Sequence, residues 1–219
     1  MTRPLIITDC DEVLLHMIVP FRQWLDERHD VHLDIARFGI SEALRRKACG
    51  TVVEKGHVWD MLREFFTTEM HRQKPISGAL EALQRLSALA DIVVLTNIEE
   101  AAHQRRIDQL GSLGITFPVH WNQGGKGKPL AAIVAAHRPS VTLFIDDLAQ
   151  HHESVTQHAP EAWRLHMVGE PELAPLVKAA SSAHARIDQW SEAEEWIMDK
   201  LQGGGPAIGQ PVLADHKIV

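Results

Sequence analysis

Only two of the 219 residues are cysteine, Cys10 and Cys49. A disulfide framework needs more, and these two lie in dissimilar contexts, so a reducing compartment is expected. Positive charge is also short: 22 Lys and Arg against 29 Asp and Glu leave a net charge of −7. A general nucleic-acid binder needs a basic footprint, which this balance argues against. No apolar run approaches the roughly 18–20 residues of a membrane-spanning helix. The segment from Met1 to Asp9 has one early Arg and a short apolar run that ends in acids, without the longer stretch of a signal peptide. There is no internal repeat and no His-Glu-x-x-His zinc motif. The chain therefore reads as soluble and cytoplasmic, with neither a membrane nor a nucleic acid as partner. Its 45% hydrophobic and 23% charged residues are ordinary for a globular protein, and the length suits one domain with a modest insertion.

Short apolar runs alternate with helical patterns. Leu5-Ile6-Ile7-Thr8 reads as a buried strand that delivers Asp9-Cys10-Asp11-Glu12 to the surface. Residues 15–74 differ in character: Trp24, Leu25, Leu44, Trp59, Leu62, Phe65 and Phe66 lie among many charges, with Trp59, Leu62 and Phe66 at helical spacing. This segment reads as a helical insertion, with one possible extended piece near 31–39. After Pro75, Ser77 suits the N-cap of a helix through Leu89. Ile92-Val93-Val94-Leu95 is a second buried strand that runs into Thr96-Asn97, and a helix follows from about Glu99 to Leu110. Phe117 to Trp121 is a weak third strand, followed by the loop Gly124-Gly125-Lys126-Gly127-Lys128 and a helix whose first turn suits Pro129. Val141 to Ile145 is the clearest strand and ends in Asp146-Asp147. A helix, a short strand from Ala162 to Met167 and helical material to about Leu201 complete the core, and 203–219 reads as a loose tail. The pattern implies an α/β fold: a Rossmann-like α/β/α core (1–14 and 75–202) with a mainly parallel sheet, plus a small helical insertion (15–74).

In parallel sheets, ligands bind beyond the carboxyl ends of the strands. Asp9 and Asp11, Thr96 and Asn97, and Asp146 and Asp147 should therefore converge. Several carboxylates in one crevice repel each other and stay ionised together only around a cation. An all-oxygen set suits a hard ion, here Mg²⁺ completed by a phosphate oxygen. Thr96, Asn97 and Lys128 supply donors for that phosphate. One carboxylate can serve as nucleophile and a second, two residues on, as acid and base.

These residues in this order resemble the haloacid dehalogenase-like (HAD) superfamily. The resemblance rests on Asp9-Cys10-Asp11-Glu12-Val13 after a strand, Thr96 after a second, a lysine in the Gly-rich loop, and Asp146-Asp147 after a third. It implies that Asp9 is nucleophile and metal ligand, that Asp11 is general acid/base with its backbone carbonyl on the metal, and that Asp146 and Asp147 hold Mg²⁺. Thr96 would hold phosphoryl oxygens, and the insertion would be a cap that closes the site and selects a small phosphorylated substrate. An acid at position 11 favours phosphate chemistry over dehalogenation. Both Lys126 and Lys128 fall in the loop of the third motif. Pro129 after Lys128 fits the family's habit, so Lys128 is the expected site lysine and Lys126 the alternative. Glu12 occupies a position that is usually glycine in the family.

Plainer roles exist for each group. Thr96-Asn97 and Asp146-Asp147 could simply cap the helices that follow them. The histidines, with His151, His152 and His158 the densest group, are expected to be solvated. Cys10, flanked by acids that raise a thiol pKa, is expected to pack in the core and not to act as a nucleophile. The alternative functions are a non-catalytic or weakly active phospho-ligand-binding protein, with Glu12 as its sign, and a phosphoryl-transfer or phosphonate variant of the same fold.

Overall fold

A computed structural model describes residues 2–35 and 43–207. Six strands form one sheet in the order β5-β4-β1-β6-β7-β8, and every adjacent pair is parallel. They are β1 (Leu5–Thr8), β4 (Asp91–Asn97), β5 (Val119–Asn122), β6 (Thr142–Asp146), β7 (Trp163–His166) and β8 (Ala185–Arg186). The helices are α1 (Ile18–Arg28), α2 (Lys55–Thr68), α3 (Ala79–Leu86), α4 (His103–Ser112), α5 (Gly127–His137), α6 (Ala149–His158) and α7 (Trp190–Gly203). The expected Rossmann-like α/β/α core is present.

Side chains alternate across a strand, and β1 shows how that builds three layers. Ile6 points into a cluster with Leu83, Leu86, Leu110, Trp190 and Ile197, from α3, α4 and α7. Leu5 and Ile7 point the other way, to Leu130, Ile133 and Val155 of α5 and α6. Both faces are covered, which is why the strands read as continuous apolar runs. The chain leaves β1 on one side for β4 and β5 and later crosses to β6 on the other, so a crevice opens at the carboxyl end of β1.

The insertion has a hydrophobic cluster of its own, built on Phe21, Trp24, Leu25, Val58 and Phe65. Phe65 stacks edge-on against Phe21 with ring centroids 5.3 Å apart. The helical face differs from the expected one. Val58 and Phe65 carry the buried side of α2, while Trp59 is 47% exposed. The insertion also holds an antiparallel pair, β2 (Val31–Leu33) with β3 (Leu44–Arg46), of which only the first was suggested by the residue pattern. Residues 36–39 of the extended piece expected at 31–39, and the expected tail from residue 208 on, lie outside the described residues.

Two helix expectations need correction. Gly78, with φ of 82°, precedes α3 where Ser77 was the expected cap, and neither caps it through a side chain. Helical material expected throughout 168–201 is confined to α7 and a short 3-10 turn at Ala174–Leu176, because β8 pairs with β7 in between. Arg164, buried beneath that region, donates to the Pro160, Ala162 and Ser182 carbonyls and so satisfies irregular backbone that a helix would have satisfied itself.

Because the insertion's cluster is separate from the sheet's core, Phe65→Ala should cost about 3–5 kcal/mol, the usual range for a buried aromatic truncated to alanine. Hydrogen exchange should show faster opening of α1 and α2 with β1 and β6 still protected. Equal loss of protection in β1 would show that the two clusters fold as one.

Candidate active site

Asp9 follows β1 directly, and Asp146 closes β6, the strand paired to β1 in parallel. The register carries both acids to the same edge of the sheet. Asp9, Asp146 and Asp147 each offer an oxygen within 4.8 Å of the others, and all three are buried. Asp146 also accepts the Leu148 N–H at 2.9 Å, so it orders the start of α6 as well.

Lys126 stands at the centre of this group. Its Nζ lies 2.6 Å from Asp9 Oδ1 and 2.7 Å from Asp146 Oδ2, and the residue is fully buried. Lys128, the expected site lysine, is exposed, and that expectation is corrected here. The reason is local. Lys126 is the residue from which α5 starts, two positions before Lys128, and side chains two apart on a helical turn point to different faces. Gly127 permits the burial: its N–H donates to Ser154 Oγ at 3.0 Å, and any Cβ there would collide with the Ser154 carbonyl.

Thr96, near the end of β4, is fully buried, and its Oγ1 has no hydrogen-bond partner among the described residues. A buried hydroxyl without a partner is costly and uncommon, so it points to a ligand atom. Asn97 does something else. Its Nδ2 donates to the Gly124 carbonyl at 2.9 Å, and its Oδ1 accepts from Asn122. It braces the Gly-rich loop that carries Lys126 and is not a free phosphate donor, contrary to expectation.

Asp11 is turned away from the three-acid cluster. Arg106 Nη2 donates to both of its oxygens, at 2.9 and 3.0 Å, and Gln73 Nε2 donates to the same carboxylate at 2.6 Å. Arg106 is fully buried and also donates to Cys10 Sγ at 3.1 Å, with the Phe66 ring of α2 over its guanidinium. Neither Arg106 nor Gln73 was expected. Arg106 had a readable signal, a charge on the apolar spacing Ala102-Arg106-Leu110 of α4. Gln73 had none.

Glu12 adopts φ of 61°, the left-handed conformation that glycine takes most easily. The backbone therefore keeps the shape the usual glycine would allow. The side chain turns inward and accepts the Met17 and Ile18 N–H groups at 2.9 and 2.5 Å, capping α1 with a carboxylate at its positive end. His151 and His152 are buried, which corrects the expectation of solvated histidines. Burial lowers the pKa of both, that of His152 to about 4, and His152 contacts the Asp146 carbonyl at 3.0 Å. Cys10 packs in the core as expected, and burial raises its thiol pKa.

The electrostatics test the fit of a cation. Burial pushes Asp9 up to about 7, with Asp146 and Asp11 adding to the rise against the pull of Lys126. Burial and repulsion by Asp146, Asp9 and Glu12 push Asp147 well above the carboxylate range. Asp146 stays below its ordinary value because Lys126 overrides the effect of burial. One ammonium therefore does not keep three buried carboxylates ionised. The donor set is all oxygen, which fits a hard divalent cation.

No protein-family model matches the chain, and no curated protein matches it. Solved structures do. A haloacid dehalogenase-like family hydrolase from Streptococcus pneumoniae superposes with a TM-score of 0.63 at 11% identity, over 89% of this chain and 98% of that one. YfnB of Bacillus subtilis, bound to magnesium, matches at 0.61 and 13%, over 90% and 99%. A phospho-aspartyl intermediate analogue of a phosphoserine phosphatase matches at 0.53 and 13%, over 90% and 99%. The chain has the haloacid dehalogenase-like fold.

The raised acids give a pH signature. A carboxyl with its folded pKa above the unfolded one stabilises the protein at low pH, and that contribution is lost as pH rises through the folded value. For Asp9 the window runs from its ordinary 3.8 to about 7. The shift in melting temperature between Mg²⁺ and EDTA should therefore be small at the acid end and grow through neutrality. The buried neutral histidines contribute equally to both conditions. A shift independent of pH would count against Asp9 as part of the cation site.

Proposed function

We propose that the protein is a cytoplasmic, Mg²⁺-dependent phosphatase that hydrolyses a small phosphorylated metabolite through an aspartyl-phosphate on Asp9. The observation that carries the reading is the buried arrangement of Asp9, Lys126, Asp146 and Asp147 beside the unpartnered Thr96 hydroxyl. The magnesium-bound and phospho-aspartyl neighbours support it as relatives in fold.

Asp9, Asp146 and Asp147, with the Asp11 backbone carbonyl, would hold Mg²⁺. The bound ion would supply positive charge against the phosphate and keep the acids ionised. Asp9 attacks phosphorus through a carboxylate oxygen as the bond to the leaving oxygen breaks, and Asp11 gives that oxygen its proton. Asp11 then takes a proton from water, whose oxygen attacks the aspartyl-phosphate and releases inorganic phosphate and free Asp9. Lys126 orients Asp9 and offsets charge on the transferring group, while the Thr96 hydroxyl donates to a phosphoryl oxygen. The insertion acts as the cap over this crevice.

Phosphate release from a panel of phosphorylated metabolites, with Mg²⁺ and with EDTA, tests the reading. Turnover should require Mg²⁺ and vanish in Asp9→Asn; activity surviving that change would refute the mechanism. Lys126→Met should lower kcat by about 10²–10³, in line with loss of a preorganised charge at the reacting group. Lys128→Ala should leave kcat within a few-fold. The reverse order would restore Lys128 as the site lysine.

One observation favours the second reading, a phospho-ligand-binding protein with little turnover. The Asp11 carboxylate is already engaged by Arg106 and Gln73. The two readings separate by a comparison of variants. If Arg106 positions a working Asp11, Asp11→Asn lowers turnover by about 10²–10⁴. It should also lose about 3 kcal/mol of stability, because Arg106 is left buried without its partner. Asp9→Asn should be inactive without such a loss, since it removes one of three crowded carboxylates. An Asp11→Asn protein that loses stability while a weak wild-type turnover persists unchanged would favour the binding role. Urea denaturation and phosphate release read the two effects.

A further inference from the structure

A second group of metal-ligating side chains meets away from the three-acid cluster. Glu12, His16 and Glu170 each offer a ligand atom within 4.8 Å of the others. Glu12 lies in the turn after β1, His16 on the chain leaving the core for α1, and Glu170 in the loop after β7. Gly169 makes the approach possible. Its N–H donates to the Glu12 carbonyl at 2.6 Å, and a Cβ there would sit 2.6 Å from the Ile76 side chain. Beside them the outgoing and returning chains pair, with His16 N–H donating to the Lys74 carbonyl at 2.9 Å. The group therefore sits at the crossing between core and insertion.

Its bonding is incomplete in a specific way. Glu12 is 3% exposed and Glu170 5%. Glu12 Oε1 is saturated by the Met17 and Ile18 N–H groups, and Oε2 is buried with no partner among the described residues. Glu170 Oε1 accepts the Glu172 N–H, and its Oε2 lies 2.7 Å from His16 Nδ1. The nearby Arg22 is spent on Glu172, at 2.8 and 3.0 Å. Two buried carboxylates thus face each other with one imidazole between them and one oxygen unsatisfied. Such an arrangement is costly unless a cation completes it.

We propose that Glu12, His16 and Glu170 form a second divalent-cation site that takes a first-row transition ion such as Zn²⁺. Glu12 Oε2, a Glu170 oxygen and the His16 ring nitrogen make a three-ligand set of one nitrogen and two oxygens, with open positions for water. An imidazole ligand favours Zn²⁺ over Mg²⁺, whereas the all-oxygen cluster at Asp9 suits Mg²⁺. With ligands from the β1 turn, the linker and the β7 loop, the ion ties the base of the insertion to the core.

The test is metal retention, which needs no turnover and so stands apart from the phosphatase reading. The full chain is loaded with Zn²⁺ in excess Mg²⁺, dialysed, and its metal measured; Co²⁺ serves as a spectroscopic stand-in. Wild type should keep about one Zn²⁺ per chain. His16→Ala and Glu170→Gln should weaken binding by about 100-fold or more. Glu12→Gln should do the same while its amide oxygen still caps α1, which guards against simple misfolding. Asp147→Asn should retain the zinc. No zinc on the wild type, equal zinc on His16→Ala, or loss in Asp147→Asn would each overturn the proposal.

Discussion

The site depends on one buried ammonium. Lys126 Nζ lies between Asp9 and Asp146, within 2.7 Å of each, in a place with no access to solvent. Burying a lysine would ordinarily drive off its proton, but here the two acids hold it and raise its pKa. The reverse influence is incomplete. Lys126 keeps Asp146 below its ordinary value yet leaves Asp9 at about 7, and its pull on Asp147 is outweighed by burial and neighbouring acids. That residual imbalance is the physical demand for a cation. It arises from the fold, because the register that pairs Thr8 with Ile145 brings the next residues, Asp9 and Asp146, side by side.

A second constraint acts where the chain leaves β1. The turn requires a left-handed residue at position 12, and glutamate takes it at a cost of about 1–2 kcal/mol. Two hydrogen bonds to the start of α1 offset that cost. Glu12 is thus part of the structure of the turn and does not obstruct the chain's path into the insertion. Substitution by glycine would relax the backbone and free the helix end together, so any change in activity would mix two effects.

The strands and their polar ends were legible because burial on both faces leaves an unambiguous apolar run, as in Val141 to Ile145. Asp9, Thr96, Asp146 and Asp147 were legible for the same reason, being the first polar residues after such runs. Lys126 was not separable from Lys128 by residue type. What separates them is the close approach of Gly127 to α6, a tertiary contact with no local signature. Asn97 looked like a donor for phosphate because its position suited one, and only its partners Gly124 and Asn122 reveal the bracing role. The buried histidines failed as a reading for a related reason. A polar ring reads as solvated until neighbours such as Phe144 and His166 close around it.

Arg106 links these levels. It holds Asp11 in the core, touches Cys10 between the two acids, and lies under Phe66 from the insertion. A fully buried guanidinium needs its carboxylate partner, and that carboxylate is the proposed acid and base. Motion of α2 relative to the core would change the cover over Arg106, and with it the environment of the group that grips Asp11. The insertion thus reaches Asp11 twice, directly through Gln73 and indirectly through Phe66 over Arg106. If the insertion closes as the proposed cap, both contacts would couple substrate binding to proton transfer at Asp11.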